Sequence, residues 1–367
     1  MMIVTMTLAG DGAVDQIRGA LESARTWAAV HVILDSCSDC RLEAPLSEYD
    51  ESRKYGLLYR EPYTWPNDFA QARNDLFRAA ADAVGEFEIV PTAVWAVTLD
   101  ADERIHGDIR AAIVEAERRG LACVSIASAD GTYTKPRAFK LPCSARWVGK
   151  THEAIQIPSY VAPGVTFSEL PKTPEQLRAK FARDIEVLEA TLADDPTNAR
   201  AWYYAGDACE GLGLLQRAAH CFDMCAILSR WDEEAAWSRY RQAVVATRLD
   251  DYESAKRACA LGMLVRPDYP EFPWLIGWCE LEVARKQGGG QTCAKRALAW
   301  GGAAASMTQE RKSAHCLPER IGFRHAPAHY EGPDDVLRNA YRTLGADELA
   351  AYHDQRWAER LRARVAP

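Results

Sequence analysis

The sequence predicts two domains of different fold class: an α/β domain in residues 1–170 and an all-α domain of helical repeats in residues 171–367. Three observations lead to this prediction. Short β-branched apolar runs alternate with amphipathic stretches in the first half, prolines cluster around residue 170, and strand signals disappear beyond that cluster. A length of 367 residues also suits two hydrophobic cores better than one.

The predicted elements of the first half follow a strand–helix–strand order. We predict strands at Met2–Leu8, Val30–Leu34, Val94–Leu99 and Ala122–Ala127, and helices at Ala13–Arg25, Asp68–Val84 and Gly107–Arg119. This alternation is typical of a mostly parallel, Rossmann-like sheet with helices on both faces. Ligands of such sheets bind at the carboxyl ends of the strands, so we expect a functional site at that edge.

A proline-punctuated stretch follows and is predicted to be the linker between the domains. Its prolines are Pro158, Pro163, Pro171 and Pro174. Thr173 suits an N-cap and Pro174 suits the first position of a helix, so we expect the helical half to begin there.

The second half repeats itself with a period of roughly the 34 residues known for paired-helix repeats. Tryptophans recur at Trp202, Trp237 and Trp274, and alanines recur at Ala218, Ala255 and Ala294. Such spacing predicts tetratricopeptide-like helix pairs, because small residues let paired helices approach closely. A generic helical bundle is the alternative. A final helix pair is predicted to begin near Gly332–Tyr341.

The composition narrows the classes of function. The 44 basic and 52 acidic residues give a formal charge of −8, so no global basic field exists to hold nucleic acid or an anionic membrane. No apolar run approaches the roughly 18 residues of a membrane span. The apolar first residues lack a basic n-region, which favours a buried strand over a signal peptide. The eleven scattered cysteines favour reduced thiols and a cytoplasmic location.

Three acids follow the predicted strand at Val94–Leu99, namely Asp100, Asp102 and Glu103. Carboxylates beside a buried strand are costly unless a cation or hydrogen bonds compensate them. A Mg²⁺ or Mn²⁺ ion that bridges carboxylates and a diphosphate prefers such oxygen ligands. The alternative is a solvated acidic turn that caps the following helix.

Two further blocks carry polar groups of interest. In the block Trp65–Asn74, Asp68 suits the first turn of a helix, and Arg73 could face the cleft and bind phosphate or ribose. A basic loop without acids, residues 131–152, ends at His152-Glu153. This pair could supply a metal ligand and a general base, although a lone His-Glu pair is usually structural.

These blocks, in this order, resemble the family 2 glycosyltransferases of GT-A fold that carry C-terminal tetratricopeptide repeats. The group includes bacteriocin-peptide glycosyltransferases that attach sugars to Cys or Ser. Its Trp-x-Asn-Asp-Phe-Ala-x-Ala-Arg-Asn, Leu-Asp-Ala-Asp-Glu, Arg-x-Phe and His-Glu motifs fall here at residues 65–74, 99–103, 137–139 and 152–153. The family's Asp-Thr-Gly-Ser-Thr-Asp element is altered, because Cys37 replaces its glycine and the last acid is displaced to Asp39.

The resemblance implies a metal-dependent, inverting glycosyltransferase with a Mn²⁺ or Mg²⁺ ion and a nucleotide-sugar donor, a UDP-sugar of glucose or a related hexose. The residues that it assigns to the nucleotide are Thr5, Asp35, Asp68, Arg73 and Asp100, with Asp100 on ribose or metal. Asp102 would bind the metal directly, and His152 would bind the metal or contact the diphosphate. Glu153 and Glu103 compete as the base that activates the acceptor.

Several interpretations of partner and site remain open. The acceptor is a peptide, a protein or another macromolecule, with the repeats binding it or a second copy in a homodimer; no membrane partner is expected. Hydroxymethylated bases of DNA are a second acceptor class, since the basic stretch from Lys135 to Lys150 could meet phosphates. A non-catalytic repeat scaffold is the third hypothesis. Zinc at Cys37 and Cys40, or among His315, Cys316, His325 and His329, is a weaker one, and we expect the histidines to pack on the repeats.

Overall fold

The computed structural model describes residues 1–37, 42, 46, 57–86, 93–131, 133–287, 290–313 and 325–365. The chain divides into two compact units, Met1–Pro174 and Glu175–Pro367. Asp39 and Cys40, which belong to the altered motif, lie outside the described residues.

The described part of the first unit contains ten strands, three α-helices and a short 3₁₀ helix at Asp11–Ala13. The strands are β1 (Met2–Ala9), β2 (Val30–Asp35), β3 (Leu57–Pro62), β4 (Val94–Thr98), β5 (Glu103–His106), β6 (Cys123–Ser128), β7 (Thr134–Leu141), β8 (Trp147–Val148), β9 (Ala154–Ile155) and β10 (Tyr160–Glu169). The helices are α1 (Ile17–Ala24), α2 (Phe69–Glu86) and α3 (Ile109–Arg118). Eight strands form one sheet in the order β3-β2-β1-β4-β7-β6-β10-β5, and β8 pairs with β9.

The sheet is mixed and confirms an α/β fold: six of its eight strands run in one direction, as a mostly parallel sheet requires, whereas β5 and β7 run the other way. Strands β3, β2, β1 and β4 are parallel to one another. Strand β7 is antiparallel to both β4 and β6, because the short turn after β6 sends the chain straight back. Strand β10 is parallel to β6 and antiparallel to β5.

Apolar side chains cover both faces of this sheet. Ile3 and Trp95 pack on one face with residues of α1 and α3, whereas Val4 and Ala96 pack on the other face with residues of α2. Helices on both faces are therefore confirmed.

The proline-punctuated stretch is not a simple linker, since its residues 160–169 form strand β10. Ala162, Val165 and Phe167 are buried in the core. Pro163 lies where the register with β6 shifts between Val161 and Thr166, a position where a missing N–H breaks no ladder bond. The predicted basic loop is likewise partly a strand, because its residues 134–141 form β7.

The second unit is helical, and no strand occurs among its described residues. Its helices are α4 (Pro174–Asp194), α5 (Ala199–Gly211), α6 (Leu215–Leu228), α7 (Asp232–Arg248), α8 (Tyr252–Val265), α9 (Glu271–Gln287), α10 (Gly290–Ser313), α11 (Ala326–His329), α12 (Gly332–Thr343) and α13 (Asp347–Val365). Helix α4 begins at Pro174, as predicted. From α5 to α10 each helix packs against the next, and α12 packs against α13.

The predicted repeat anchors fall on alternate helices. The tryptophans lie on α5, α7 and α9, and the alanines lie on α6, α8 and α10, fully buried. Within the first pair, a Cβ atom at Gly206 would lie 2.7 Å from the ring of Phe222. Trp237 Nε1 donates a hydrogen bond to the Tyr203 hydroxyl, 3.1 Å away, and so joins the first pair to the second. These contacts confirm paired, tetratricopeptide-like helices.

Within the described residues, no helix combines the length and the apolar character that a membrane span requires.

Candidate functional site

The chain changes direction across the sheet at β1. From β1 it proceeds through β2 to β3 on one side, and then it returns to place β4 on the other side of β1. Such a switch point opens a crevice at the carboxyl ends of the strands, where α/β proteins bind ligands. Asp35 ends β2 level with Ala9, and Asp100 follows β4 at the same edge of the sheet.

Arg73 of α2 joins three elements at this edge. Its Nη1 and Nη2 donate to Asp100 Oδ1 and Oδ2, each over 3.2 Å, in a bidentate pair. Its Nε donates to Glu153 Oε1, next to strand β9. Burial disfavours the guanidinium charge, but Asp100 and Glu153 outweigh it and raise the pKa of Arg73. Burial alone would raise the pKa of Asp100, but the charges of Arg73 and Arg137 overcome this effect and hold it well below its usual range.

A second guanidinium lies deeper in the same network. Arg137 of β7 is 2% exposed, contacts Glu103 Oε1, and lies 3.6 Å from Asp100 Oδ2. Glu103 Oε2 accepts a hydrogen bond from the Asp100 amide, 3.2 Å away. Lys135 Nζ is 3.6 Å from Glu103 and 2.6 Å from Glu169. Burial, reinforced by repulsion from Asp100, raises the pKa of Glu103 to about 7.

The β8–β9 hairpin holds Glu153 in place. The side chain of Asn74 donates to the Trp147 carbonyl over 3.1 Å and accepts from its amide over 3.0 Å. The Arg73 guanidinium lies 5.3 Å from the centroid of the Trp147 ring. His152 has a φ of 50°, a left-handed conformation that is uncommon for non-glycine residues and often occurs at functional sites.

Asp102 has a separate cationic partner. Lys172 Nζ donates to Asp102 Oδ2 over 2.6 Å, with side-chain exposures of 34% for Lys172 and 23% for Asp102. A main-chain hydrogen bond joins the same two segments, because the Leu170 amide donates to the Asp102 carbonyl over 2.8 Å. Partial burial opposes the lysine charge, but the bond to Asp102 raises the pKa of Lys172.

Three residues predicted to bind the nucleotide lie outside the arginine network. Thr5 is fully buried within β1, and its hydroxyl is 2.8 Å from His31 Nδ1. Asp35 accepts from the Cys37 amide over 2.9 Å and pairs with Arg60 Nε at 3.1 Å. The third residue is Asp68.

Asp68 stands at the start of α2. Its Oδ1 accepts a hydrogen bond from the Gln71 amide over 2.9 Å, the contact of a helix cap. The preceding Asn67 has a φ of 54°, so the chain turns sharply into the helix. The block Trp65–Asn74 therefore combines a helix start with the site residue Arg73.

The structure adds site residues that the sequence did not single out for a role. Arg137 appeared only as part of the basic stretch and of a family motif, and its neighbours Lys135 and Lys140 give β7 no apolar run against which a buried charge would stand out. Trp147 and Lys172 carried no comparable signal, because their partners, Arg73 and Asp102, are distant in sequence.

Metal ligands are not preassembled in the described part of the chain, where no group of three His, Cys, Asp or Glu side chains is arranged around a common point. His329 Nε2 is 2.7 Å from Glu271 Oε1, and His325 stacks on Trp274. These histidines therefore pack on the repeats, as expected. His315 and Cys316 lie outside the described residues, and Cys37 is half-buried.

No family model matches this sequence. No curated protein matches it either. Among solved structures, the chain is similar to the crystal structure of MamA, at 15% identity and a TM-score of 0.39 over 54% of this chain and 99% of that one. It is also similar to BtubC from P. vanneervenii, at 11% identity and a TM-score of 0.34 over 54% and 94% of the two chains. A third is YrrB, a TPR protein with an unusual peptide-binding site, at 13% identity and a TM-score of 0.28 over 48% and 84%. Likenesses at this level carry no functional argument, and the repeat assignment rests on the helix packing above.

Proposed function

We propose that the first unit is a metal-dependent, inverting glycosyltransferase of the GT-A type, and that the helical unit binds its acceptor. The donor is a nucleotide sugar, a UDP-hexose on the family resemblance, and the acceptor is a peptide or protein. The observation that carries the proposal is the network of Arg73, Asp100 and Glu153 at the switch point of the sheet.

The cost of this network argues for a chemical role. Removing charges from water costs several kcal/mol per ion even after relaxation, and well-packed apolar residues are often as stable as a buried ion pair. Two largely buried guanidinium groups, Arg73 and Arg137, stand at a ligand-binding edge with three carboxylates. Guanidinium forks match the oxygens of a diphosphate, and the carboxylates hold them oriented for it.

The residues present fit a cation that is shared with a diphosphate. Mg²⁺ and similar ions typically take only one or two protein carboxylates when substrate phosphates supply further ligands. Asp102 Oδ2 already holds a cationic group, the Lys172 ammonium at 2.6 Å, so its position suits positive charge. We assign the metal to Asp102 and, on the family resemblance, to His152, with the substrate phosphates supplying further ligands. A bound metal would stabilise the charge of the departing nucleoside diphosphate.

Burial distinguishes the two candidate bases. Glu103 is 1% exposed and is held by Arg137 and Lys135. Its role in the proposal is to fix Arg137 beneath Asp100. Glu153 is 14% exposed and lies on the hairpin, so it is the better base. It would accept the proton of the acceptor hydroxyl or thiol as that group attacks the anomeric carbon opposite the leaving diphosphate.

The test measures nucleoside diphosphate release from a panel of nucleotide sugars, with Mn²⁺ and with a chelator. We expect metal-dependent release that Asp102→Ala abolishes. Glu115→Ala is the matched control, because the ion-pair partners of this acid in the described part of the chain are the exposed Arg118 and Arg119, at the end of its own helix. A protein that binds none of the nucleotides, in either condition, would show that the transferase proposal is wrong.

A non-catalytic scaffold is the second candidate. The observation in its favour is that Asp100, Asp102, Glu103 and Glu153 are each paired with a basic side chain. On this hypothesis those pairs only stabilise the sheet, and the repeats bind a protein partner. Nucleotide binding separates the two hypotheses. The DNA hypothesis gains no such support, since Lys135 and Lys140 pair with Glu169 and Glu117.

A further inference from the structure

The segment between β10 and α4 places a lysine on the acid that the proposed function assigns to the metal. Leu170 is tied to Asp102 by its main-chain amide at 2.8 Å. Two residues later, Lys172 Nζ reaches Asp102 Oδ2 at 2.6 Å. Pro171 and Pro174 flank the lysine and restrict its backbone. The ammonium is therefore tethered beside the carboxylate at a high effective concentration.

We propose that Lys172 is a built-in competitor of the divalent cation, whose ammonium occupies the cation position on Asp102 until the metal and a nucleoside diphosphate displace it. This inference rests on the proposed function and adds a regulation of the same site. An ammonium and a divalent ion cannot share one carboxylate oxygen without strong repulsion. Because the ammonium lies on Oδ2, a divalent ion on either oxygen of Asp102 would be repelled by it, so the binding of one cation disfavours the binding of the other.

The geometry allows the lysine to leave without disturbing the fold. The Leu170 amide bond anchors the main chain independently of the lysine side chain. Lys172 is 34% exposed, so its flexible four-carbon stem can swing the ammonium toward solvent. Glu169 and Asp100 also attract the ammonium, which favours its inward position.

The effect of Lys172 on divalent-cation affinity follows from the strength of its ion pair with Asp102. At the upper end of measured values, a partly exposed ion pair favours the paired (closed) state over the unpaired (open) state about fivefold. The apparent affinity for a competing ligand is reduced by the fraction of the open state. Removing the charge of Lys172 should therefore tighten divalent-cation binding about fivefold.

The experiment titrates the full chain with Mn²⁺ and follows the electron paramagnetic resonance signal of the free aquo-ion, with and without UDP. Lys172→Met removes the charge and keeps the bulk, whereas Lys172→Arg keeps the charge. Lys140→Met is the matched control, because Lys140 pairs with Glu117 at 3.2 Å near the opposite end of β4. Asp102→Asn reports whether the bound ion lies on Asp102.

We expect Lys172→Met to bind Mn²⁺ about fivefold more tightly than the wild type, with Lys172→Arg and Lys140→Met unchanged. Asp102→Asn should weaken binding in both the wild-type and Lys172→Met chains. Equal affinities for Lys172→Met and the wild type would overturn the competition, as would Mn²⁺ binding that is indifferent to Asp102→Asn. Metal-dependent diphosphate release alongside either result would leave the transferase proposal intact. A wild type that binds neither Mn²⁺ nor nucleotide would reject both proposals.

Discussion

Replacing Arg137 by methionine tests whether the buried charge network is as tightly coupled as its geometry indicates. The guanidinium is 2% exposed, contacts Glu103, and lies 5.2 Å from the centroid of the Phe167 ring. Methionine keeps much of the apolar stem. The substitution therefore removes chiefly the positive charge, and Glu103 loses its main partner while remaining 1% exposed.

The expected loss of stability depends on pH. Burial already raises the pKa of Glu103 from 4.5 to about 7, and Arg137 is one of the groups that hold it down, so removing Arg137 raises it further. A raised carboxyl pKa means that the folded state retains a proton that the unfolded state has released, so stability falls as pH rises. At about pH 6, Glu103 is protonated with or without Arg137, so it adds little to the difference in stability between the wild type and Arg137→Met. Above about pH 7 the extra cost grows by about 1.36 kcal/mol per unit and reaches about 2 kcal/mol near pH 8.5.

Hydrogen exchange read by mass spectrometry measures this effect in one unit of the chain. Peptides covering residues 94–106 and 134–141 report the sheet, and peptides from α5 and α7 serve as an internal reference. Arg118→Met is the control, because its pair with Glu115 is exposed and its effect should not change with pH. The double variant with Glu103→Gln should lose the pH dependence. A loss of stability on Arg137→Met that is the same at about pH 6 and at about pH 8.5 would refute the proposed coupling of Arg137 to Glu103.

Two further predictions concern the base and the repeats. Glu153→Gln should lower the rate of sugar transfer by about 10²-fold, the lower range for a lost general base. Nucleotide affinity should be preserved, because glutamine can still accept a hydrogen bond from Arg73. An equal fall in nucleotide affinity would instead indicate a positioning role. Gly206→Ala should destabilise the helical unit by about 1–3 kcal/mol, because the added Cβ lies 2.7 Å from Phe222. Gly302→Ala has open space around its Cβ and should be neutral or slightly stabilising in the same thermal unfolding measurement, and equal effects of the two alanines would contradict the packing.

Local pattern was enough to predict the elements whose signal is continuous along the chain. Strand β1 and helix α2 were predicted to within two residues at each end, because the apolar run and the helical periodicity are both uninterrupted. Strand β10 was missed because Pro163 is one of the prolines that predicted a linker, whereas in the sheet it lies at a bulge. The pairing of β7 with β4 was equally beyond local reasoning, since it joins segments that are distant in sequence.

The candidate site was predictable residue by residue but not as an arrangement. Arg73, Asp100 and Glu153 each belonged to a recognised motif, yet they meet across 27 and 80 positions of sequence. Arg137 reaches them because β7 runs antiparallel to β4, so the first half of β7 lies at the edge where β4 ends. A parallel strand would have placed its last residues there instead.

The anchoring of Asp102 has a practical consequence for anyone who separates the two units by truncation. A fragment that ends at the sequence-predicted boundary, residue 170, retains β10 and the Leu170 amide but loses the Lys172 ammonium 2.6 Å from Asp102. A fragment that ends at residue 174 retains both, in agreement with the compact unit Met1–Pro174. If Lys172 competes with the metal, the shorter fragment would bind cations more strongly than the intact chain. That gain would come from four missing residues and would be mistaken for release from the helical unit.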